Sequence, residues 1–465
     1  MQRFIRTKGI ILAAGRGLRM KSKTAKPFHH LGGEYLVSHV INSMQKSGIE
    51  EIIVIISPDI QKNKELLKFT SGFSSEIKFV VQKTPRGTGD ALLQGVGLVS
   101  DCDLIVVAAC DVPLVTSNAI NSMIHDMNSG NSCGQVLVAR VPDPTGYGRV
   151  KVDGKNSNVK CIIEEDDLNH NDKDINLINT SWYCFDTGWV RGRLKEIQQS
   201  KSGEIQLTDI VKFSNTSNIV SHSLLDDHLE AIGINSKIDL SKAEKVLKDR
   251  IGKKWMLAGV TIIDPDTTYI DSSVIIQPDS TLYPGTHLKG STLISAGAMI
   301  GPNTIIENSK VGAKSKIISS HVSDSVIGPD VVIGSNARIR NGTRVGHQCV
   351  LGNGVEVKNS TIGEETKISH FSYIGDAKIG KHVNIGAGTV TCNYDGQFKH
   401  ETFIDDDVFI GSGTMLIAPV KIFSKAKTGA GSVVTKNIKS GIAVKGVPAR
   451  PYDREITINQ KDEND

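Results

Sequence analysis

The sequence predicts an α/β protein in two parts: a mostly parallel sheet layered with helices, then a parallel β-helix. Three observations carry that prediction. Apolar runs alternate with helical patterns over residues 1–235. Residues 236–257 then read as one helix without a proline. From 258 to 440 a single aliphatic residue returns every six positions, before a tail, 441–465, whose part after about 451 ends in QKDEND and is expected to be disordered.

In the first part, GIILAAG (9–15), EIIVIIS (51–57), KFVVQ (78–82) and LIVVAAC (104–110) read as buried strands. Between them, YLVSHVINSMQKSG (35–48) and TGDALLQGVGLVS (88–100) show helical spacing with a polar face. Strand, helix, strand in repetition predicts parallel pairing. In 236–257, Ile238, Leu240, Val246, Leu247 and Ile251 mark the apolar side of a linker helix between domains.

In the second part, Ile327, Ile333, Ile339, Val345, Leu351 and Val357 form one series. Ile404, Ile410, Leu416 and Ile422, continued by Thr428 and Val434, form another. A period of six sustained this long is the signature of a parallel β-helix, three short strands to a coil. Each aliphatic is expected to point inward, with Gly or Asn making the corner; Gly328, Gly334, Gly346, Gly352 and Gly411 follow the aliphatics. A sandwich would need alternation at period two and varied turns. One break is expected, between Thr391 and Ile404, where CNYDGQFKHETF leaves the coil as an extended loop of the kind that carries function.

At 465 residues the chain is too long for one ordinary core. A net charge of +4 is small for that length, so no nucleic-acid partner is expected, which would need a concentrated basic face. No membrane insertion is expected either, since no stretch approaches the ~20 apolar residues of a span. The apolar run Ile10 to Ala14 is too short for a signal peptide, and Arg16, Arg19, Lys21 and Lys23 follow at once. Seven cysteines without a CxxC pair argue for reduced thiols, hence a cytoplasmic location, and against a zinc site.

The segment ILAAGRGLRM (11–20) follows the first strand. Gly15 and Gly17 let backbone N–H groups approach an anion, and Arg16, Arg19 and Lys26 add positive charge suited to a triphosphate. The dinucleotide pattern fails because Met20 stands at its third glycine, and the P-loop pattern fails for want of Gly-Lys-Ser/Thr. An ordinary strand-to-helix turn also uses such glycines. Asp111 ends a buried strand, where ligands meet an open parallel sheet; it could hold Mg²⁺ against phosphate oxygens or simply cap the turn before Pro113.

LAAGxGxRM, Lys26-Pro27, GTG (87–89), the strand ending in Asp-x-Pro-Leu and DPTGYGR (143–149) resemble the sugar-1-phosphate nucleotidyltransferases. Joined to the hexapeptide half, roughly 5–440 is similar to the bifunctional N-acetylglucosamine-1-phosphate uridyltransferase/glucosamine-1-phosphate acetyltransferase family. The resemblance implies a Rossmann-like nucleotidyltransferase domain, a left-handed β-helix and a homotrimer. It implies acetyl transfer from acetyl-CoA to glucosamine-1-phosphate, then coupling of the product to UTP with release of pyrophosphate, making UDP-N-acetylglucosamine. By motif, Leu12, Ala13, Ala14 and Gly15 would line the UTP site, and Arg19 and Lys26 would stabilise its phosphates. Gln82, Gly87 and Thr88 would read the uracil edge. Asp111 and Asn235 would hold Mg²⁺. Gly148, Glu164 and Asn179 would hold the sugar. Leu18, Arg86 and Ser181-Trp182 depart from the family's usual residues but leave the charged groups intact.

The second site implied by the resemblance lies in the repeat. Acetylating an amine needs a base, and a neutral His titrates in the right range, although a His on a β-helix surface is often merely solvated. The family implies His370 as that base, with Arg340 and Lys358 clamping the sugar phosphate and Tyr373 and Asn384 positioning the sugar. Asn393, Tyr394 and Lys399 would serve sugar and cofactor from the loop, and Ala387, Ser412 and Ala430 would line the acetyl-CoA groove. Gly446 stands where the family has an Arg that contacts coenzyme A, with Lys445 and Arg450 as candidate replacements. The rival readings are a monofunctional nucleotidyltransferase with a non-catalytic assembly β-helix, a non-catalytic subunit, and a metal site at His321, His347, His370 and His382, whose spacing matches no ligand pattern.

Overall fold

The computed structural model describes residues 6–62, 73–99, 102–153, 158–200 and 203–452. Its internal contacts divide the chain into two compact units, Met1–Leu247 and Lys248–Asp465. The division falls inside a helix, Lys237–Leu257. Its Leu240, Val246 and Leu247 pack on the first unit's core, and Ile251 and Trp255 on the second's. Ile238, expected on the apolar side, is instead 68% exposed because it stands in the first turn, off that stripe.

The first unit is a sheet whose strands run Ile219–Leu224, Ser132–Arg140, Leu177–Asp186, Leu104–Ala109, Thr7–Leu12, Glu51–Ile56, Glu76–Val81 in spatial order. Neighbours pair parallel except around Leu177–Asp186, which runs antiparallel to both of its partners. Alternate side chains enter different cores: Ile11, Ile52, Val54 and Val106 on one face, Ile10, Ile53, Ile55 and Val107 on the other. Burial on both faces is why these strands read as unbroken apolar runs. KFVVQ differs from expectation. Its strand lies at the sheet edge with no fully buried residue, so only one side meets neighbours.

The second unit is a three-faced parallel β-helix, consistent with the left-handed form. The faces begin at Thr261–Ile262, Tyr269–Ile270 and Ile275–Ile276, and each strand pairs with the one a coil later. One buried stack from Ile262 to Val444 fills the prism. The inward series is less regular than expected. The steps Ile306 to Val311, Val322 to Ile327 and Val357 to Ile362 are five residues, so corners absorb deletions besides the one loop. The corners also differ. Left-handed backbone is held by Gln348, Glu365, His382 and Asp407 as readily as by glycine. The glycines after the aliphatics serve packing instead: a Cβ on Gly328 would stand 2.8 Å from the backbone of Gly346, one coil on.

Candidate functional sites

Two places in the chain gather reactive side chains, one in each unit. In the first, the loop after Thr7–Leu12 lines a cavity of ≈ 830 Å³ together with Arg19, Lys26, Gln82, Gly87, Thr88, Asp111 and Asn235. Leu12, Ala14 and Gly15 lie on its wall. Ala13 does not; its N–H is spent on Ile55 O and its side chain is buried in the core. A second cavity of ≈ 270 Å³ is lined by Tyr147, Gly148, Glu164, Asn179, Ser181 and Thr208. Both share Leu12, Arg19, Thr88, Asp111 and Asn235, so they form one cleft with two ends.

The fold brings these groups together by backbone hydrogen bonds. Ile234 N donates to Asp111 O at 2.8 Å, which sets Asn235 beside Asp111 across 124 residues of chain. Lys26 Nζ then donates to Asp111 Oδ2 at 2.5 Å and to Asn235 Oδ1 at 2.9 Å, while Arg19 Nη2 donates to the same Asn235 oxygen at 3.1 Å. Two side-chain oxygens converging on one cation suit a hard divalent metal. Gly87 opens the helix Thr88–Val96 at φ 107°, and a Cβ there would stand 2.5 Å from Ile205 O, so only glycine fits.

At the sugar-sized end, Glu164 Oε1 accepts from the Thr208 hydroxyl at 2.7 Å. Burial pushes its carboxyl above the usual range, outweighing that hydrogen bond. Asn179 Nδ2 donates to Tyr183 Oη at 2.8 Å, and Gly148 O accepts from Asn179 N at 2.9 Å. Ser181, which departs from the family pattern, holds φ 61° in a register shift of its strand and lines the same cavity. Trp182 is fully buried and donates to Val112 O. Leu18 is exposed. Thr208 and Tyr147 were not singled out from sequence, although GYGR carries Tyr147 and its hydroxyl accepts from Gly233 N.

In the second unit, His370 ends the strand Lys367–His370 on the first face. It stands two residues after the inward Ile368. Ala387, Ser412 and Ala430 stand two after Ile385, Ile410 and Thr428, the equivalent inward positions of the next three coils. The stacking is continuous: Gly388 N donates to His370 O, Gly413 N to Ala387 O, and Gly431 N to Ser412 O. A track of small residues therefore leads away from the imidazole. Gly446 continues it on the following coil, two after Val444. Lys445 lies with its ammonium 4.6 Å from the Tyr452 ring centre, and Arg450 pairs with it across the terminal strands.

The second face carries the charged set. Arg340 and Lys358 sit on adjacent coils, and Arg340 Nη1 donates to Glu356 Oε1 at 2.8 Å. Glu356 is in register with Tyr373, and Lys358 with Gly375. The loop returns Lys399 against Lys358, which holds the Lys399 ammonium below its ordinary range. Asp376 was not singled out, yet it organises the group. Burial alone would raise its carboxyl, but hydrogen bonds from Asn359 and Asn393, with Lys358 and Lys399 near, hold it below the usual range. In the loop, Tyr394 Oη donates to Gly396 O and Tyr394 bridges Lys399. Within one chain Asn384 stands apart from this set. It sits three residues before the Ala387 corner, in register with Lys367 and Phe409, in a separate cleft with Glu365 and His382. Among the described residues no group of three His, Cys, Asp or Glu is placed to hold a metal, so the four histidines form no such site.

Known proteins share both halves. Residues 8–228 match the Nucleotidyl transferase family and 319–418 the GMPPB C-terminal domain. The chain is 38% identical to the bifunctional protein GlmU of Heliobacterium modesticaldum, over 93% of each chain. It is 37% identical to that of Halalkalibacterium halodurans, over 97% of this chain and 98% of the other. It is also 37% identical to that of Clostridioides difficile, over 98% of each. With identity at this level running through both units, the chain belongs to the bifunctional GlmU family.

Proposed function

We propose that this bifunctional transferase makes UDP-N-acetylglucosamine in two steps, each in its own unit. In the second unit, the amine of glucosamine-1-phosphate attacks the thioester carbonyl of acetyl-CoA, a C–N bond forms, and coenzyme A leaves as the thiol. His370 takes the amine proton; its ring has no hydrogen-bond partner among the described residues and stays free to meet a substrate. The small-residue track below it admits the extended arm of acetyl-CoA, with its backbone close by. Arg340, Lys358 and Lys399 receive the sugar phosphate. Cations held against one another favour an anion between them.

In the first unit, a phosphate oxygen of N-acetylglucosamine-1-phosphate attacks the α-phosphorus of UTP in line, and pyrophosphate leaves. Arg19 and Lys26 neutralise phosphate charge, and Glu164, Asn179 and Gly148 orient the sugar. Asp111 and Asn235 would hold Mg²⁺, which when bound supplies charge to the phosphate oxygens. The observation that carries this reading is the single cleft of the first unit, with a cationic end and a part-buried carboxyl at its other end, together with an imidazole on a small-residue track in the second unit.

Phe371, next to His370 in the chain, and Tyr394 and Phe398 of the loop stand 72%, 61% and 66% exposed, which favours a second copy covering them in a homotrimer. The seven free thiols suit a cytoplasm, and no helix of the described residues is long and apolar enough to cross a membrane. The test incubates the protein with glucosamine-1-phosphate, acetyl-CoA, UTP and Mg²⁺ and follows free thiol and pyrophosphate separately. Thiol without pyrophosphate, or the reverse, rejects the two-step reading.

A further inference from the structure

We infer that Asp90, which lies outside the base-reading set, fixes which end of the Gln82 amide faces the nucleotide and so makes the site prefer uracil to cytosine. This rests on the uridylyl-transfer reading above. Gln82 follows the strand Glu76–Val81, is 3% exposed and lines the nucleotide end of the cleft. Its side-chain nitrogen donates to Asp90 Oδ2 at 2.7 Å and to Gly87 O at 3.2 Å. A carboxylate and a carbonyl only accept, so the partners themselves decide the orientation of the amide. Asp90 is held in turn: its Oδ2 also accepts from Gln94 Nε2 at 3.0 Å, one turn along the helix Thr88–Val96.

With both amide hydrogens used, Oε1 is what remains. Among the described residues no donor reaches it. Uracil carries an N3–H between two carbonyl oxygens. Cytosine carries a bare N3 lone pair and a 4-amino group. An acceptor facing position 3 receives the uracil proton and repels the cytosine lone pair. The helix start adds the complement, because no described acceptor takes the N–H of Gly87 or Thr88. Those donors suit the uracil 4-oxygen and oppose the cytosine 4-amino hydrogens.

Turning the amide over would set Oε1 against a carboxylate and a carbonyl in a buried place. Asp90 carries the charge and is the stronger of the two partners. Without it, only the longer contact to Gly87 O opposes the flip, and the flipped amide offers cytosine the donor its N3 requires. Asp90 is thus a positioning residue acting through Gln82.

The test compares the full-length protein with Asp90→Asn, Asp90→Ala and Gln82→Ala. It measures pyrophosphate release from UTP and from CTP with N-acetylglucosamine-1-phosphate and Mg²⁺, and acetyl transfer as a report on the fold. In Asp90→Ala the UTP-over-CTP ratio of kcat/KM is expected to fall at least ~10-fold, with CTP use rising and acetyl transfer unchanged, and in Asp90→Asn, whose amide oxygen still accepts from Gln82, by less. Equal loss on both nucleotides, leaving the ratio intact, marks a merely structural role and overturns the inference. An unchanged ratio in the Asp90 variants with a lowered ratio in Gln82→Ala overturns it too, while leaving the base-reading site standing. An unchanged ratio in all three overturns both. A wild type that uses neither nucleotide overturns the uridylyl-transfer reading itself.

Discussion

Lys26 Nζ sits 2.5 Å from Asp111 Oδ2 and 2.9 Å from Asn235 Oδ1, so one ammonium occupies the point where two oxygen donors from distant parts of the chain converge. The Lys26 side chain is 10% exposed and that of Asp111 24%. A pair this enclosed is costly to break on one side, because the other charge is left behind.

Asp111→Asn is therefore expected to lower uridylyl transfer by at least ~10²-fold, in line with removal of a group that stabilises charge in a transition state. Acetyl transfer by the same protein should stay at its original rate. Titration with Mn²⁺, followed by its electron paramagnetic resonance, should also lose its site in this variant. Retained Mn²⁺ binding would exclude Asp111 as a ligand.

His370→Ala should act on the other reaction. A general base contributes about 10²–10⁴-fold, and thiol release from acetyl-CoA should drop by that factor. Pyrophosphate release from UTP and N-acetylglucosamine-1-phosphate should not change. Equal thiol release with and without the imidazole removes His370 from its role.

Ala430→Trp places an indole on the small-residue track two coils below Ala387. The KM for acetyl-CoA is expected to rise ~10-fold or more, while the KM for glucosamine-1-phosphate holds. Overpacking of a core is not at issue, since Ala430 is exposed. A rise in both constants would place the cofactor elsewhere.

Glu164 gives a pH prediction. Its carboxyl is raised above the ordinary value by burial, so the folded protein holds this proton more tightly than the unfolded chain. The unfolded state sheds the proton first as pH rises, and stability is lost from about the unfolded value, 4.5, upward through the raised folded value. Glu164→Gln cannot ionise and escapes that loss. Calorimetry at pH 7 should give it a Tm higher by about 2–4 °C per kcal/mol recovered, and the gap should close near pH 4. A gap that widens on acidification would reverse the assignment of burial as the cause.

Much of this was open to reading in the sequence, for reasons that differ by element. The β-helix announces itself because every coil repeats one inward position, and Ile333, Leu351 and Ile368 recur whatever the corners do. Corner chemistry was harder to see. A left-handed residue such as Glu365 or His382 is tolerated because each coil fixes the next, and local propensity does not reveal that. The antiparallel strand Leu177–Asp186 was missed, since a strand buried on both faces looks alike in either direction. At the sites, charged groups on recognisable motifs stood out, as with Lys26 and Asp111. The residues that hold them in place did not: Thr208 reaches Glu164 across 44 positions, and Asp376 gathers Asn359 and Asn393 from neighbouring coils. Asn384 stands on the first face, apart within one chain from the Tyr373 it was grouped with on the second, a separation that sequence spacing does not reveal.

The alignment of His370, Ala387, Ser412 and Ala430 on successive coils makes the β-helix a ruler whose gradations are the inter-strand spacing, ~4.8 Å. Length along that ruler is counted in whole coils. A corner deletion of one residue, such as those at Val311 or Ile362, leaves the gradations untouched. A whole coil added between Ile368 and Thr428 would lengthen the distance from imidazole to the far end of the track by one gradation, whereas the same coil added before Ile333, ahead of Arg340, would only make the column taller. Evolution can therefore vary the height of this column freely above its chemistry, but not within it.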